Sequence, residues 1–107
     1  MVCHLVLCKL RQGISPEEVE EIMRRTRMSL LKIDAALTVR CGRAIARDEE
    51  WEFFVAVEAH SMERLAAYRD HAIYVKYMEE VLKPSTECRV ALDYEMDPAR
   101  LGYYASA

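Results

Sequence analysis

The chain has 107 residues, with 15 Lys and Arg against 18 Asp and Glu, a formal charge of −3. That length suits one domain, and folding should bury roughly 60–70% of the surface that the unfolded chain exposes, enough for one modest core. The 52% hydrophobic and 31% charged content, with 3 Gly and 3 Pro, is that of an ordinary globular protein and argues against long loops or disorder. The acidic balance offers no attraction to phosphate backbones or anionic lipid, so neither nucleic acid nor a membrane surface is expected as a partner.

The opening residues lack a basic n-region and place His4 and Lys9 where a leader peptide needs an apolar run. No apolar run approaches the roughly 20 residues that span a bilayer. A cytoplasmic location is expected, and in that reducing compartment Cys3, Cys8, Cys41 and Cys88 are expected as thiols. Their scatter, with no Cys-x-x-Cys and no paired His spacing, argues against a structural zinc site. They read as small apolar residues in strands. No metal and no cofactor is expected: the chain carries no Gly-rich phosphate loop, nucleophile elbow or metal motif.

Residues 2–10 are apolar and partly β-branched, which predicts a strand with His4, Val6, Cys8 and Leu10 on one face and Cys3, Leu5, Leu7 and Lys9 on the other. Gly13 marks a turn. Ser15-Pro16-Glu17-Glu18 predicts a helix start with a capping box, Pro16 occupying the first helical position. Val19, Ile22, Met23, Leu30 and Ile33 then form a narrow apolar stripe. Residues 37–43 read as a second strand and 51–59 as a third, joined by a polar turn at Arg47–Glu50. In the third, Trp51, Phe53, Val55, Val57 and Ala59 share a face.

Ser61 caps a further helical stretch whose phase shifts near Arg69-Asp70-His71 and resumes at Tyr74, Val75, Met78, Val81 and Leu82. That pattern predicts two helical pieces joined by a bend, with Pro84 ending the second. Residues 88–94 read as the last strand, with Cys88, Val90, Leu92 and Tyr94 opposite Arg89, Ala91 and Asp93. Arg89 and Asp93 are expected near Lys9 and Glu52, as an ion-pair set at the rim of a subunit interface, with ligand binding as the alternative reading. Residues 1–96 are taken as the domain and 97–107 as a tail without period, in which the aromatics of Leu101-Gly102-Tyr103-Tyr104 are candidates to lie across a neighbouring subunit.

The order β-α-β-β-α-β with right-handed crossovers predicts an α+β, ferredoxin-like sandwich: a four-stranded antiparallel sheet with both helices on one face. Two helices cover one face only. The other face keeps apolar residues, and leaving them wet costs about 25 cal/mol per Å². A second copy stacking its own sheet there removes that cost, so a two-fold homodimer through the sheet faces is expected.

Several stretches carry a family resemblance: the opening H-L-V-L-C-K-L, the helix start S-P-E-E, the run from Ser61 to Pro84, and R-V-A-L-D-Y-E. The chain resembles the stress-responsive dimeric α/β-barrel (Dabb) proteins from His4 to about Glu95, most specifically between Tyr68 and Pro84. The resemblance implies a ferredoxin-like protomer, a dimer whose two sheets close into a barrel, and a stress-linked role by analogy. Most relatives have no assigned reaction. A plant member is a polyketide cyclase that catalyses an aldol condensation in a pocket between helices and sheet. Carried over, that pocket is framed here by His4, Tyr68 and His71. Where relatives carry His-Pro-x-His, this chain has His71-Ala72-Ile73-Tyr74. The second histidine, the plant enzyme's base, is thus replaced by Tyr74, a phenol that ordinarily titrates near about 10 and is a poor base at neutral pH.

Each candidate has a structural and a functional reading. His4 is either a half-buried imidazole bonded to a backbone carbonyl or a tyrosine hydroxyl, or a general acid/base, histidine being the side chain that titrates nearest neutral pH. His71 either caps the second helical piece or helps to orient a ligand. Tyr68 and Tyr74 are either core packing or donors to a substrate carbonyl. His60 reads as solvated, and Met23, Met62, Met78 and Phe54 as core fillers. Three functions follow: a homodimer binding a small apolar or aromatic ligand between helices and sheet; a cofactor-independent cyclase-like or isomerase-like enzyme using His4 with Tyr68, His71 and Tyr74; and a purely structural dimeric barrel module. A cavity of roughly 300 Å³ or more touching His4, Tyr68 and Tyr74 favours a ligand.

Overall fold

The structure is a computed structural model that describes residues 1–97; the tail readings at Leu101, Tyr103 and Tyr104 lie outside the described residues. Strand β1 (Val2–Leu10) is followed by α1 (Pro16–Leu30), β2 (Thr38–Arg43), β3 (Phe53–Ala59), α2 (Met62–Asp70), α3 (Ala72–Tyr77) and β4 (Thr86–Glu95). The strands form one antiparallel sheet in the order β2-β3-β1-β4, the ferredoxin-like arrangement. Among the described residues no helix is long and apolar enough to cross a membrane.

Local chemistry sets the helix boundaries. The Ser15 hydroxyl accepts from the Glu18 backbone N–H at 3.1 Å, and the Glu18 carboxylate accepts from the Ser15 backbone N–H at 3.4 Å, which closes the capping box. Ser61 caps α2 by accepting from the Arg64 N–H at 3.2 Å. His71 then leaves the helical region, with φ −68° and ψ 138°, so α3 starts afresh. The segment does not stop at Pro84: after α3 it widens into a π turn at Met78–Leu82 and finishes with one turn at Lys83–Ser85. In a regular α-helix the Pro84 ring would collide with the carbonyl four residues back, and a wider turn just before it avoids that collision. The Ser85 and Thr86 hydroxyls donate to the carbonyls of Val81 and Leu82 at 2.7 and 2.8 Å, serving acceptors that the helix end leaves open.

The pleat sorts the two sheet faces. His4, Val6, Cys8 and Leu10 of β1 and Phe53, Val55, Val57 and Ala59 of β3 are all buried beneath the helices. They pack with Val19, Ile22, Leu30, Leu65, Tyr77, Val81 and Leu82. On the other face Leu5 lies between Ala56 and Leu92, and Leu7 between Phe54 and Val90. All six are partly covered at most. Phe54 also lies against Gly42 on the neighbouring strand: a Cβ there would come within 2.6 Å of Phe54 Cε1.

One expectation about faces is corrected. Cys8 pairs with Arg89 and His4 with Asp93, so Arg89 and Asp93 lie on the helix side, away from Lys9. Neither joins Lys9 or Glu52: Arg89 donates to the Thr86 hydroxyl at 2.6 Å, and the Glu52 carboxylate accepts from the Leu10 N–H at 3.0 Å. The reason is position. The helices do not fully cover the edge strand β4, so its inner side can hold charge, while its apolar set continues the open face.

Helix α1 is tied to α3 through a buried polar contact. The Thr26 hydroxyl donates to the Ile22 carbonyl at 2.7 Å, which leaves its oxygen to accept from the Tyr77 hydroxyl, also at 2.7 Å. Thr26→Val removes that acceptor and strands the Tyr77 hydroxyl in the core. It is expected to lower stability by about 1–3 kcal/mol in urea unfolding. Adding Tyr77→Phe should recover most of the loss; a double variant as weak as the sum of the singles would contradict this account.

Candidate functional site

The site is built where β1, β4 and the α2–α3 bend meet. His4 is 3% exposed, and its Nδ1 lies 2.6 Å from Asp93 Oδ1, directly across the β1–β4 ladder. An ionised carboxylate only accepts, so the shared proton belongs to Nδ1, and in the neutral imidazole the lone pair falls on Nε2. Nε2 is buried and, among the described residues, has no hydrogen-bond partner. The side chain is thus held at one nitrogen and free at the other.

Tyr68, 1% exposed, presents its ring edgewise to His4, with centroids 6.4 Å apart at 63°. Tyr74 packs on Tyr68, with centroids 4.8 Å apart at 55°. Six residues along an unbroken helix would set these two side chains about 120° apart. The extended backbone at His71 brings them together instead. His71 itself is exposed, and its Nδ1 accepts from the Ile73 N–H at 3.1 Å, so its ring serves as the cap of α3. The structure therefore unites His4, Tyr68 and Tyr74 and leaves His71 at the surface.

Two members of the cluster have roles that the sequence reading did not assign: it places Asp93 in an ion-pair set with Arg89 and gives Arg69 no role. Asp93 orients His4, and Arg69 places its Nη1 3.4 Å from Asp93 Oδ2. Reading residues 88–94 as an antiparallel neighbour of residues 2–10, with the His4 face matched to the Asp93 face, is the signal that would have found the first.

The electrostatics separate donors from acceptors. The hydrogen bond from His4 holds the Asp93 carboxyl below its usual range against the opposing effect of burial, and the Arg69 guanidinium adds to it. Burial pushes the Tyr68 phenol well above its ordinary range, and Tyr74 and Tyr77 push the same way. Burial also raises Tyr74; Arg69 opposes that rise and Asp93 adds to it. Both phenols therefore stay protonated near neutral pH and can donate to a carbonyl or an oxyanion, while the lone pair on His4 Nε2 can take a proton. Further along β1 the Cys8 thiol is pushed up to about 12, chiefly by burial, and stays protonated. Among the described residues no group of three His, Cys, Asp or Glu side chains could hold a metal ion.

Open clefts lie elsewhere on the described residues. One of about 560 Å³ runs between the turn after β1 and the β2–β3 loop, lined by Lys9, Arg11, Arg47, Asp48 and Glu52 among others. Another of about 440 Å³ follows the charged face of α1. Neither is lined by His4, Tyr68 or Tyr74, whose rings pack against one another.

Known proteins share this architecture. A dimeric protein of unknown function with a ferredoxin-like fold from Bacteroides fragilis is 25% identical, over 89% of this chain and 95% of that one, with a TM-score of 0.72. A Dabb family protein from Mesorhizobium loti is 18% identical, over 91% and 97%, with a TM-score of 0.77. A hydroxynitrile lyase from Passiflora edulis is 14% identical, over 94% and 96%, with a TM-score of 0.76; at that identity the likeness concerns the fold alone. No curated protein matches the chain. The model of the stress responsive A/B barrel domain matches residues 2–96. With its β2-β3-β1-β4 sheet under two helical segments and that match over nearly its whole described length, the chain belongs to the stress responsive A/B barrel (Dabb) domain family.

Proposed function

We propose that the protein is a homodimer whose protomers each take up a small apolar or aromatic molecule between helices and sheet, and that His4 exchanges a proton with it. The observation that carries this reading is the buried, unpartnered Nε2 of an imidazole whose other nitrogen is bonded to a carboxylate. Leaving a buried polar atom unpaired costs roughly 1–3 kcal/mol, and such groups concentrate where a ligand completes the bonding. Tyr68 and Tyr74 supply apolar walls and two hydroxyl donors. Binding then requires the α2–α3 bend to part, since the rings are in contact in the free protomer. The homodimer is supported by the apolar face of Leu5, Leu7, Phe54, Val90 and Leu92, and by solved neighbours described as dimeric. A second reading, a barrel module without ligand, draws on the close packing of His4, Tyr68 and Tyr74.

Thermal-shift and NMR titration with small aromatic aldehydes, ketones and phenols separate the two readings. Binding should raise Tm, and His4→Gln should weaken it by about tenfold or more, the loss of one buried hydrogen bond. If no compound binds in a way that depends on His4, the barrel-module reading stands. Leu7→Asp places a charge in the open face and is expected to convert dimer to monomer in sedimentation; an unchanged dimer would mean that subunits meet elsewhere. The depressed Asp93 pKa also has a sign. The folded protein releases that proton more readily than the unfolded chain, so the contribution to stability is complete above the ordinary aspartate value of about 3.9 and fades as pH falls through the lower folded value. Asp93→Asn should therefore flatten the acid limb of a stability-against-pH curve; an identical limb would detach Asp93 from acid unfolding.

A further inference from the structure

Asp93 stands on an edge strand, at the border of the helical layer, where Ala91 two residues earlier is already exposed. Its side chain is 31% exposed, and a carboxylate so placed turns easily about its last torsion, which is broad rather than staggered. In this chain the open flank is occupied. Arg69, in the last turn of α2, sets Nη1 3.4 Å from Oδ2 while Oδ1 faces His4 Nδ1 at 2.6 Å. Each carboxylate oxygen therefore has its own partner, and the two contacts resist rotation from opposite sides.

We propose that Arg69 is a positioning residue for His4, holding the Asp93 carboxylate in the orientation that keeps the proton on Nδ1 and the lone pair on Nε2. This deepens the reading given above, on which Nε2 is the atom that meets the ligand. Around the His4–Asp93 pair stand Tyr68 and Arg69 from α2 and Tyr74 from α3; the β3 residue opposite His4 is apolar Val57. Of these only Arg69 carries a permanent positive charge, and its planar fork suits a carboxylate. The bend explains its reach. Arg69 lies in the last turn of α2, which ends at Asp70 before the chain turns away at His71, and from there its side chain reaches Asp93 on β4.

The test is the ¹⁵N spectrum of the His4 imidazole in the full-length chain at mildly alkaline pH, with no ligand present. The wild type should show one tautomer, with Nδ1 protonated and Nε2 bare. Asp93→Asn should abolish that preference. Arg69→Gln, with Arg69→Met as a second variant that keeps the stem, should move the two nitrogen signals toward each other, and Arg69→Lys should restore most of their separation. A wild-type pattern in both Arg69→Gln and Arg69→Met, with amide spectra showing a folded chain, would overturn the assignment, as would a wild type protonated on Nε2. Since the spectrum needs no ligand, a shifted tautomer together with failed ligand titrations would count against the binding reading and for the role of Arg69.

Discussion

The pleat of β1 is the constraint on which the rest of the molecule depends. The strand lies between β3 and β4 and is committed on both faces. His4, Val6, Cys8 and Leu10 go beneath the helices, while Leu5 and Leu7 go to the open side. A slip of one residue would exchange the two sets. It would break the pairing of His4 with Asp93, bury Lys9 and leave the apolar side chains of the core in water. The register that builds the site is thus the one that builds the face suited to a second copy. Neither can be changed without the other.

A buried histidine is tolerated only if its polar atoms are served. Here the edge strand supplies the service. A carboxylate deep in the core would itself need several partners, whereas Asp93 lies where helix cover thins out and water reaches one flank. Edge position therefore lets one acid hold a core imidazole at modest cost. It also gives a surface guanidinium access to that acid. The outcome is a chain of contacts from solvent inward, Arg69 to Asp93 to His4, that ends on a nitrogen with no partner of its own.

The helical segment over the site is irregular at two places, and each has a local cause. At His71 the backbone becomes extended and the imidazole caps the helix that follows, which turns Tyr74 toward Tyr68. Before Pro84 the turn widens, and hydroxyls from Ser85 and Thr86 take up the carbonyls of Val81 and Leu82. Both irregularities lie in the layer that must move if a molecule is to reach Nε2. Elements joined by breaks of this kind open at lower free energy than an unbroken helix packed along its length.

Much of this was determined by the sequence itself, wherever the cause is local. The strand at residues 2–10, the capping box at Ser15, the phase break at Arg69–His71 and the element order all follow from alternation, caps and helical period, which nearby residues decide. The resemblance added His4, Tyr68, His71 and Tyr74 as candidates. Only the tertiary structure decided which of them meet. His71 is drawn to the surface because its ring is used for a cap, and Tyr74 joins Tyr68 because the backbone breaks between them. The roles of Asp93 and Arg69 escaped the sequence reading, which set Asp93 beside Arg89, because they depend on contacts across 89 and 24 positions, set by strand register and by where an edge strand leaves the cover of a helix. Alternation shows that a strand has two faces; only the packed neighbours show which face is inside.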